Sequence, residues 1–331
     1  MFSPLASLST RRRFLAFAAA ALAVVPAPPA AAADAWPSKS LRIVVPFAPG
    51  GGADSSARAL AELLSPQLGQ PVIVENKPGA GSAIGVAAAA QSKDGHTLLM
   101  GSNSMVINPF LNPSITYDVA RDFDAVGMVS SQPLVLVVPS SSTIQSVSDL
   151  VAQARAKPGM TAGNSGAGTL AHIASELFAV QTGISLTPVP YKGESALMPD
   201  LMGGLVELGF LNLPSVGPHI KSGRLRALAV SSAQPVAELP GIPTLRSLNY
   251  PDLELLGWAA LLAPKGTIPA EGLVKLDDLV RKALGSDTIK TRFATLNLTP
   301  VIAGREPTAQ FLKAEGARYG AVIKARGIKA E

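Results

Sequence analysis

Three short segments place glycines, small residues and a helix start directly after an apolar, β-branched run. They are Phe47-Ala48-Pro49-Gly50-Gly51-Gly52-Ala53-Asp54, Lys77-Pro78-Gly79-Ala80-Gly81-Ser82 and Gly163-Asn164-Ser165-Gly166-Ala167-Gly168-Thr169. The first N–H groups of a helix have no carbonyl partner within it, and that end of the helix carries the positive pole of its dipole. Glycine, lacking Cβ, lets a ligand come close to the backbone. Together these features form an anion site that needs no arginine. The dipole contributes about 0.3–2 kcal/mol to an anion, and each hydrogen bond to a charged group about 1.5–3 kcal/mol. A few such bonds therefore approach the roughly 8 kcal/mol of a micromolar ligand. Each segment alone reads as a plain structural turn, and their joint occurrence favours a binding site.

Signatures of catalysis are missing. Gly50-Gly51-Gly52 lacks the Lys-Ser/Thr ending of a phosphate-binding loop, and nothing completes G-x-G-x-x-G after the first apolar run. Gly163-Asn164-Ser165-Gly166-Ala167 misses the last glycine of a nucleophile elbow. Cysteine is absent, which excludes a disulfide framework, a thiolate metal site and a cysteine nucleophile. His96, His172 and His219 lie too far apart in sequence to form a metal-ligand motif. No carboxylate pair stands out as an acid–base couple, so the expectation is a non-enzyme without cofactor or metal. Asp54 reads as a helix cap, His172 as a locally bonded helix residue, Lys192 equally as a carboxylate contact or a solvated lysine, and Trp258 as core or inter-lobe packing.

The elements that must position these segments alternate in type. Leu41–Phe47, Val72–Glu75 and Thr97–Met100 read as strands, with helices over Asp54–Ser65 and Ala83–Gln91 between them. After the apolar run Leu134–Pro139 the rhythm resumes. A helix is expected over Val147–Ala156, a strand at Met160–Ala162 and a helix over Ala171–Thr182. Further strands are expected at Thr187–Pro190, Leu205–Phe210 and Ala227–Ser231, and C-terminal helices over Ala270–Leu284 and Pro307–Ala325. Such alternation indicates βαβ units and a largely parallel sheet. At 331 residues with 47% hydrophobic side chains, the chain can build two cores. Periodicity alone leaves two lobes and one large open sheet both open.

The N-terminus reads as an address. Arg11-Arg12-Arg13 precedes an apolar run of twelve residues from Phe14 to Val25, ended by Pro26. That is short of the roughly 20 residues a bilayer requires and suits the core of a secretory signal, with cleavage expected after Ala33 or Ala35. The order Arg11-Arg12-Arg13-Phe14-Leu15 resembles a twin-arginine export signal, with an ordinary secretory signal as the alternative. The three arginines carry three of the five net positive charges, so the chain from Asp34 onward is only +2. No basic run remains to suggest nucleic-acid binding. No cysteine is present to carry a lipid anchor. The expected mature protein is periplasmic and not membrane-anchored.

Six segments in order resemble the substrate-binding receptors of tripartite tricarboxylate transporters, the Bug or TctC-like family. They are Arg42–Asp54, Val74–Gly81, Asp94–Leu99, Val189–Gly193, Gly223–Val230 and Leu239–Thr244. The resemblance runs from Trp36 to the C-terminus. It implies an α/β periplasmic binding protein of type II, with two α/β lobes and a ligand cleft between them. Lobe 1 would combine residues 34–136 and 257–331, and lobe 2 would be 137–256. It further implies capture of a small organic carboxylate for a two-subunit membrane permease. A sensing receptor serving a signalling partner is an alternative, and an exported α/β hydrolase a weaker one. The matching ligand positions are Phe47, Ala48, Pro49, Gly50, Gly51, Ser102, Ser104, Ser165, Gly168, Thr169 and Tyr191. One position departs from the family. Many members carry an aspartate before Asn-Leu-Pro-Ser, where this chain has Leu211. The loss of that acid implies plain or aromatic carboxylates rather than amino acids.

Overall fold

The computed structural model describes residues 36–329, so the export-signal expectation lies outside the described residues. From Leu41 onward the elements alternate as the apolar runs require. β1 (Leu41–Val45), α1 (Gly52–Leu68), β2 (Val72–Asn76), α2 (Ala83–Ala90), β3 (Thr97–Ser102) and α3 (Asn103–Leu111) form the first group. A short α4 (Val119–Asp122) leads into the 17-residue β4 (Phe123–Pro139). α5 (Val147–Ala156), β5 (Met160–Asn164), α6 (Leu170–Thr182), β6 (Leu186–Pro190), α7 (Glu194–Met202), β7 (Leu208–Asn212), α8 (Leu213–Lys221) and β8 (Leu225–Val230) follow. β9 (Leu256–Pro264), α9 (Ala270–Gly285), α10 (Asp287–Thr295), β10 (Thr299–Pro300) and α11 (Arg305–Arg326) complete the chain. α3, α7 and α8 carry prolines at 109, 199, and 214 and 218, which disguise short helices as turns. Proline is tolerated in the first turn of a helix, as at Pro214, because no intrahelical N–H bond is lost there.

The strands are ordered β2-β1-β3-β9-β4-β7-β5-β6, with β8 and β10 also on β4. β1 pairs in parallel with β2 and β3, and β5 in parallel with β6 and β7. Every pairing of β4 and β9 is antiparallel. The sheet is therefore mixed, parallel at its two ends and antiparallel at its centre, rather than largely parallel. Apolar alternation could not reveal this, because strands buried on both faces look alike in either direction.

β4 serves two ladders. It follows β9 from Phe123 to Pro133, where Pro133 faces Leu256, then pairs with β7 from Leu134, which faces Asn212. Pro133 has no N–H to donate and sits where one ladder gives way to the next. Beyond it the side chains sort by parity. Leu134, Leu136 and Val138 join one apolar cluster with Phe178 and Phe210, while Val135 and Val137 join another with Leu197 and Leu211. That is the alternation expected of a strand with helices on both faces. The result is two α/β lobes joined by backbone that passes between them.

Ser231 ties the two passages together. It is 1% exposed; its hydroxyl accepts from the Leu134 N–H at 2.8 Å and donates to the Leu255 carbonyl. Its own backbone bonds Leu134 and Leu255 as well. A buried donor or acceptor left without a partner costs about 1–3 kcal/mol. Ser231→Ala is therefore expected to lower stability by at least about that amount in urea unfolding. A loss below a few tenths of a kcal/mol would show that the hydroxyl does not brace the crossing.

Candidate functional site

Five helix beginnings meet at one cavity of about 60 Å³. α1 presents Gly52 and Ala53, α3 presents Asn103 and Ser104 after its cap Ser102, and α6 presents Leu170 and Ala171 after its cap Thr169. α7 contributes Glu194, and α8 contributes its capping residue Asn212. Each follows a strand, since β1, β3, β5, β6 and β7 all end at this cleft. That is the usual place for ligands in open α/β sheets. Gln132 on β4, with Gly257 and Trp258 on β9, closes the floor where both strands pass between lobes. Among the described residues lining the cavity there is no lysine, arginine or histidine.

The structure brings seven of the sequence-derived positions to this cavity: Phe47, Ala48, Gly51, Ser102, Ser104, Ser165 and Thr169. It places four elsewhere. Pro49 and Gly50 lie on the exposed outer turn, and the Gly50 N–H donates to Asp54 Oδ2 at 3.0 Å. Gly168 and Tyr191 line an adjoining cavity of about 360 Å³ that shares Phe47 and Ser165 with the first. The Gly168 N–H donates to His172 Nδ1 at 3.4 Å, which satisfies that histidine locally, and the Tyr191 hydroxyl donates to Asp200 at 2.6 Å. Within the seven, Thr169 acts locally. Its hydroxyl donates to the Gly166 carbonyl at 2.7 Å and accepts from the His172 N–H at 3.4 Å, so its donor is already used.

Asp54 is not the helix cap. Gly51 caps α1, and Asp54 sits in the first turn, bonded to Arg58 and Asn76 as well as Gly50. Burial works to raise its carboxyl, but those hydrogen bonds and the Arg58 charge outweigh burial and hold it below the usual carboxylate range. The second small-residue loop also differs from its expected role. A Cβ on Gly81 would fall on the Ala167 carbonyl oxygen, and one on Gly168 on Asn108 Oδ1. These glycines let the lobes touch rather than line the first cavity.

Two buried polar atoms of this cavity have no hydrogen-bond partner among the described residues, Ser102 Oγ and Gln132 Oε1. Buried polar atoms are nearly always bonded, so both are open to a further partner at the cavity wall. Ser102 is among the positions that the family resemblance implies; Gln132, Glu194, Asn212 and Gly257 are not, and Trp258 reads from sequence only as packing. The available signal was a long polar side chain, Gln132, inside a buried strand directly before proline.

Glu194 is 6% exposed, and no basic side chain pairs with it among the described ion pairs. Its Oε1 accepts from the Asn212 backbone N–H at 2.9 Å and from Asn212 Nδ2 at 2.8 Å, and its Oε2 accepts from Ser215. Burial raises its carboxyl above the ordinary 4.5, and these bonds offset only part of the rise. The folded protein therefore holds this proton more tightly than the unfolded chain. The resulting stability is complete below pH 4.5 and is lost as pH rises through the folded value. Glu194→Gln is expected to be more stable than wild type at pH 8 but not at pH 4, by urea unfolding of the ligand-free protein. Equal or greater loss at pH 8 would mean that the charged carboxylate is well accommodated.

Comparison with known proteins agrees with this architecture. A family model described as "Tripartite tricarboxylate transporter family receptor" matches residues 56–328. The Bordetella pertussis protein BugT is 41% identical over 301 residues, covering 90% of this chain and 92% of BugT. An R. palustris protein solved with adipate superposes with a TM-score of 0.85 at 33% identity, covering 89% of this chain and 99% of that one. MatC from Rhodopseudomonas palustris, solved with bound malate, gives 0.82 at 26% identity, covering 87% and 100%. With the family model spanning most of the chain and a relative this similar along nearly its full length, the protein belongs to the tripartite tricarboxylate transporter receptor family.

Proposed function

We propose that this protein is an extracytoplasmic receptor that captures a small organic carboxylate between its lobes and delivers it to a membrane permease. The observation that carries this reading is the meeting of α1, α3 and α6 N-termini in a cavity lined by no basic side chain. Unsatisfied N–H groups and dipole ends suit an anion. The solved relatives with adipate and malate suit a carboxylate in particular. The ligand positions are Phe47, Ala48, Gly51, Ser102, Ser104 and Ser165, with Gln132 added, while Thr169 lines the same cavity and holds the start of α6 through its local bonds. Pro49, Gly50, Gly168 and Tyr191 act at the rim or in the adjoining cavity.

The lobes follow the strand pairing. Residues 34–136 with 257–331 form one and 137–256 the other, a division supported by the change of ladder at Pro133 and the start of β9 at Leu256. Ligand contacts from both lobes favour the closed arrangement over an open one. Export through the twin-arginine route, with cleavage near Ala33 or Ala35, delivers the receptor to the periplasm. No described helix is long and apolar enough to cross a membrane. A two-subunit permease is the partner, and no enzymatic step is assigned to the cleft.

Thermal unfolding with a panel of mono-, di- and tricarboxylates and neutral analogues tests the ligand class. A ligand at 100 times its Kd stabilises by about 2.7 kcal/mol. Stabilisation by sugars or cations and by no carboxylate would overturn the assignment. Ser102→Ala removes one hydrogen bond to a charged group, worth about 1.5–3 kcal/mol, so a tenfold or greater rise in Kd is expected by calorimetry. For export, Arg11→Lys with Arg12→Lys is expected to hold the precursor in the cytoplasmic fraction. Continued appearance in the periplasm would assign an ordinary secretory route.

A further inference from the structure

The cleft has two chemically opposite sides. On one, the first N–H groups of α1, α3 and α6 and the Ser102 hydroxyl can donate. On the other, Glu194, Asn212 and Gln132 form a chain whose polarity is fixed at its carboxyl end, where Glu194 Oε1 also accepts from the Asn212 backbone N–H. Glu194 accepts from Asn212 Nδ2, so the Asn212 amide must turn its Oδ1 the other way. That oxygen accepts from Gln132 Nε2 at 3.2 Å. Gln132 is thereby left with its carbonyl oxygen, Oε1, 5% exposed as a residue, unpartnered and on the cavity wall. The amide cannot be reversed without placing its NH2 in the cavity and two oxygens against each other.

Glu194 reinforces the asymmetry. It already accepts from the N-terminus of α8 through the Asn212 N–H and Ser215, so it occupies that helix end and leaves anion binding to α1, α3 and α6. Oε2 has a single protein donor, which leaves it a lone pair to spare. A ligand made only of carboxylate and hydrocarbon would satisfy the donor side and leave Gln132 Oε1 unbonded beside an acid. An unpaired buried acceptor is a cost that such a ligand would carry and a donor-bearing one would not.

We propose that the Gln132–Glu194 wall is a specificity subsite for a hydrogen-bond donor on the ligand, so that the preferred solute is a carboxylic acid bearing an ammonium or hydroxyl group. The assignment rests on the carboxylate reading of the same cleft and adds the second half of the ligand. It also revises what Leu211 implies. That side chain is fully buried in the apolar cluster with Leu197 and Leu201 and does not line the cavity, so its identity does not set the ligand's polarity.

Matched triads separate the possibilities by calorimetry at pH 7. They are propionate, lactate and alanine; succinate, malate and aspartate; phenylacetate, mandelate and phenylglycine. Each triad varies hydrogen, hydroxyl and ammonium on one carbon next to a carboxylate. In whichever triad binds, at least one donor-bearing acid is expected to bind tenfold or more tightly than its unsubstituted parent. Preference for ammonium over hydroxyl assigns the donor as cationic and engaged with Glu194, and the reverse assigns it as neutral and engaged with Gln132. In Gln132→Leu the ratio between donor-bearing and unsubstituted acids is expected to fall towards one. Glu194→Gln is expected to reduce any ammonium preference more than any hydroxyl preference. Thermal midpoints of both variants identify a folding failure, and the near-isosteric Glu194→Gln keeps the question open to test if Gln132→Leu does not fold. Equal affinity of parent and donor-bearing acids overturns the subsite while leaving the carboxylate reading intact. Binding of no acid in any triad overturns both.

Discussion

Peptide N–H groups at the starts of helices, brought together without a basic side chain, are the constraint on which this molecule depends. A helix N-terminus is a weak anion site by itself, worth at most about 2 kcal/mol. Three of them aimed at one small space become useful because none needs a flexible charged side chain to be ordered on binding. The absence of lysine and arginine from the cavity wall also removes the indiscriminate attraction that such charges exert on any anion. Selectivity then falls to geometry and to the few side chains that remain.

Placing those helix starts requires two devices. Parallel β–α succession puts every strand end and helix start of a lobe on the same edge. The passage of β4 and β9 between lobes then turns two such edges towards each other. Glycines permit the final approach. A Cβ on Gly52 would come within 2.8 Å of Gln132 Nε2, and one on Gly257 within 2.6 Å of Asn212 Oδ1. At these positions the amide chain on the floor of the cleft occupies the space that a side chain would take.

That floor couples binding to the crossing strands. Gln132 directly precedes Pro133, where β4 leaves one ladder for the other, and it faces Gly257 on β9. Asn103 bonds the same region from the other side, donating to the Leu256 carbonyl and accepting from the Trp258 N–H. In the proposed mode of binding, a solute held by Ser102 and Gln132 touches both a helix start and the strands that pass between the lobes. Glu194 extends this network into the second lobe through Asn212 and Ser215.

The alternating elements, the small-residue loops before α1 and α6, and the lack of catalytic motifs were legible in the amino-acid order. Each of these is written in local periodicity or in adjacent residues. Ser102 and Ser104 were legible only through the resemblance to the receptor family, since a serine after a buried strand carries no mark of its own. The amino-acid order did not reveal the antiparallel centre of the sheet, since strands buried on both faces carry no mark of direction. Prolines hid α3, α7 and α8 by looking like turns. Tertiary structure alone decided that Gly81 and Gly168 serve lobe contact, and that Gly50 and Tyr191 spend their donors on Asp54 and Asp200. It alone brought Gln132, Glu194 and Asn212 together. They are 62 and 80 positions apart from Gln132 onward, on β4, α7 and the end of β7, and a hydrogen-bond chain between such distant residues exists only once the two lobes have been folded onto the same pair of crossing strands.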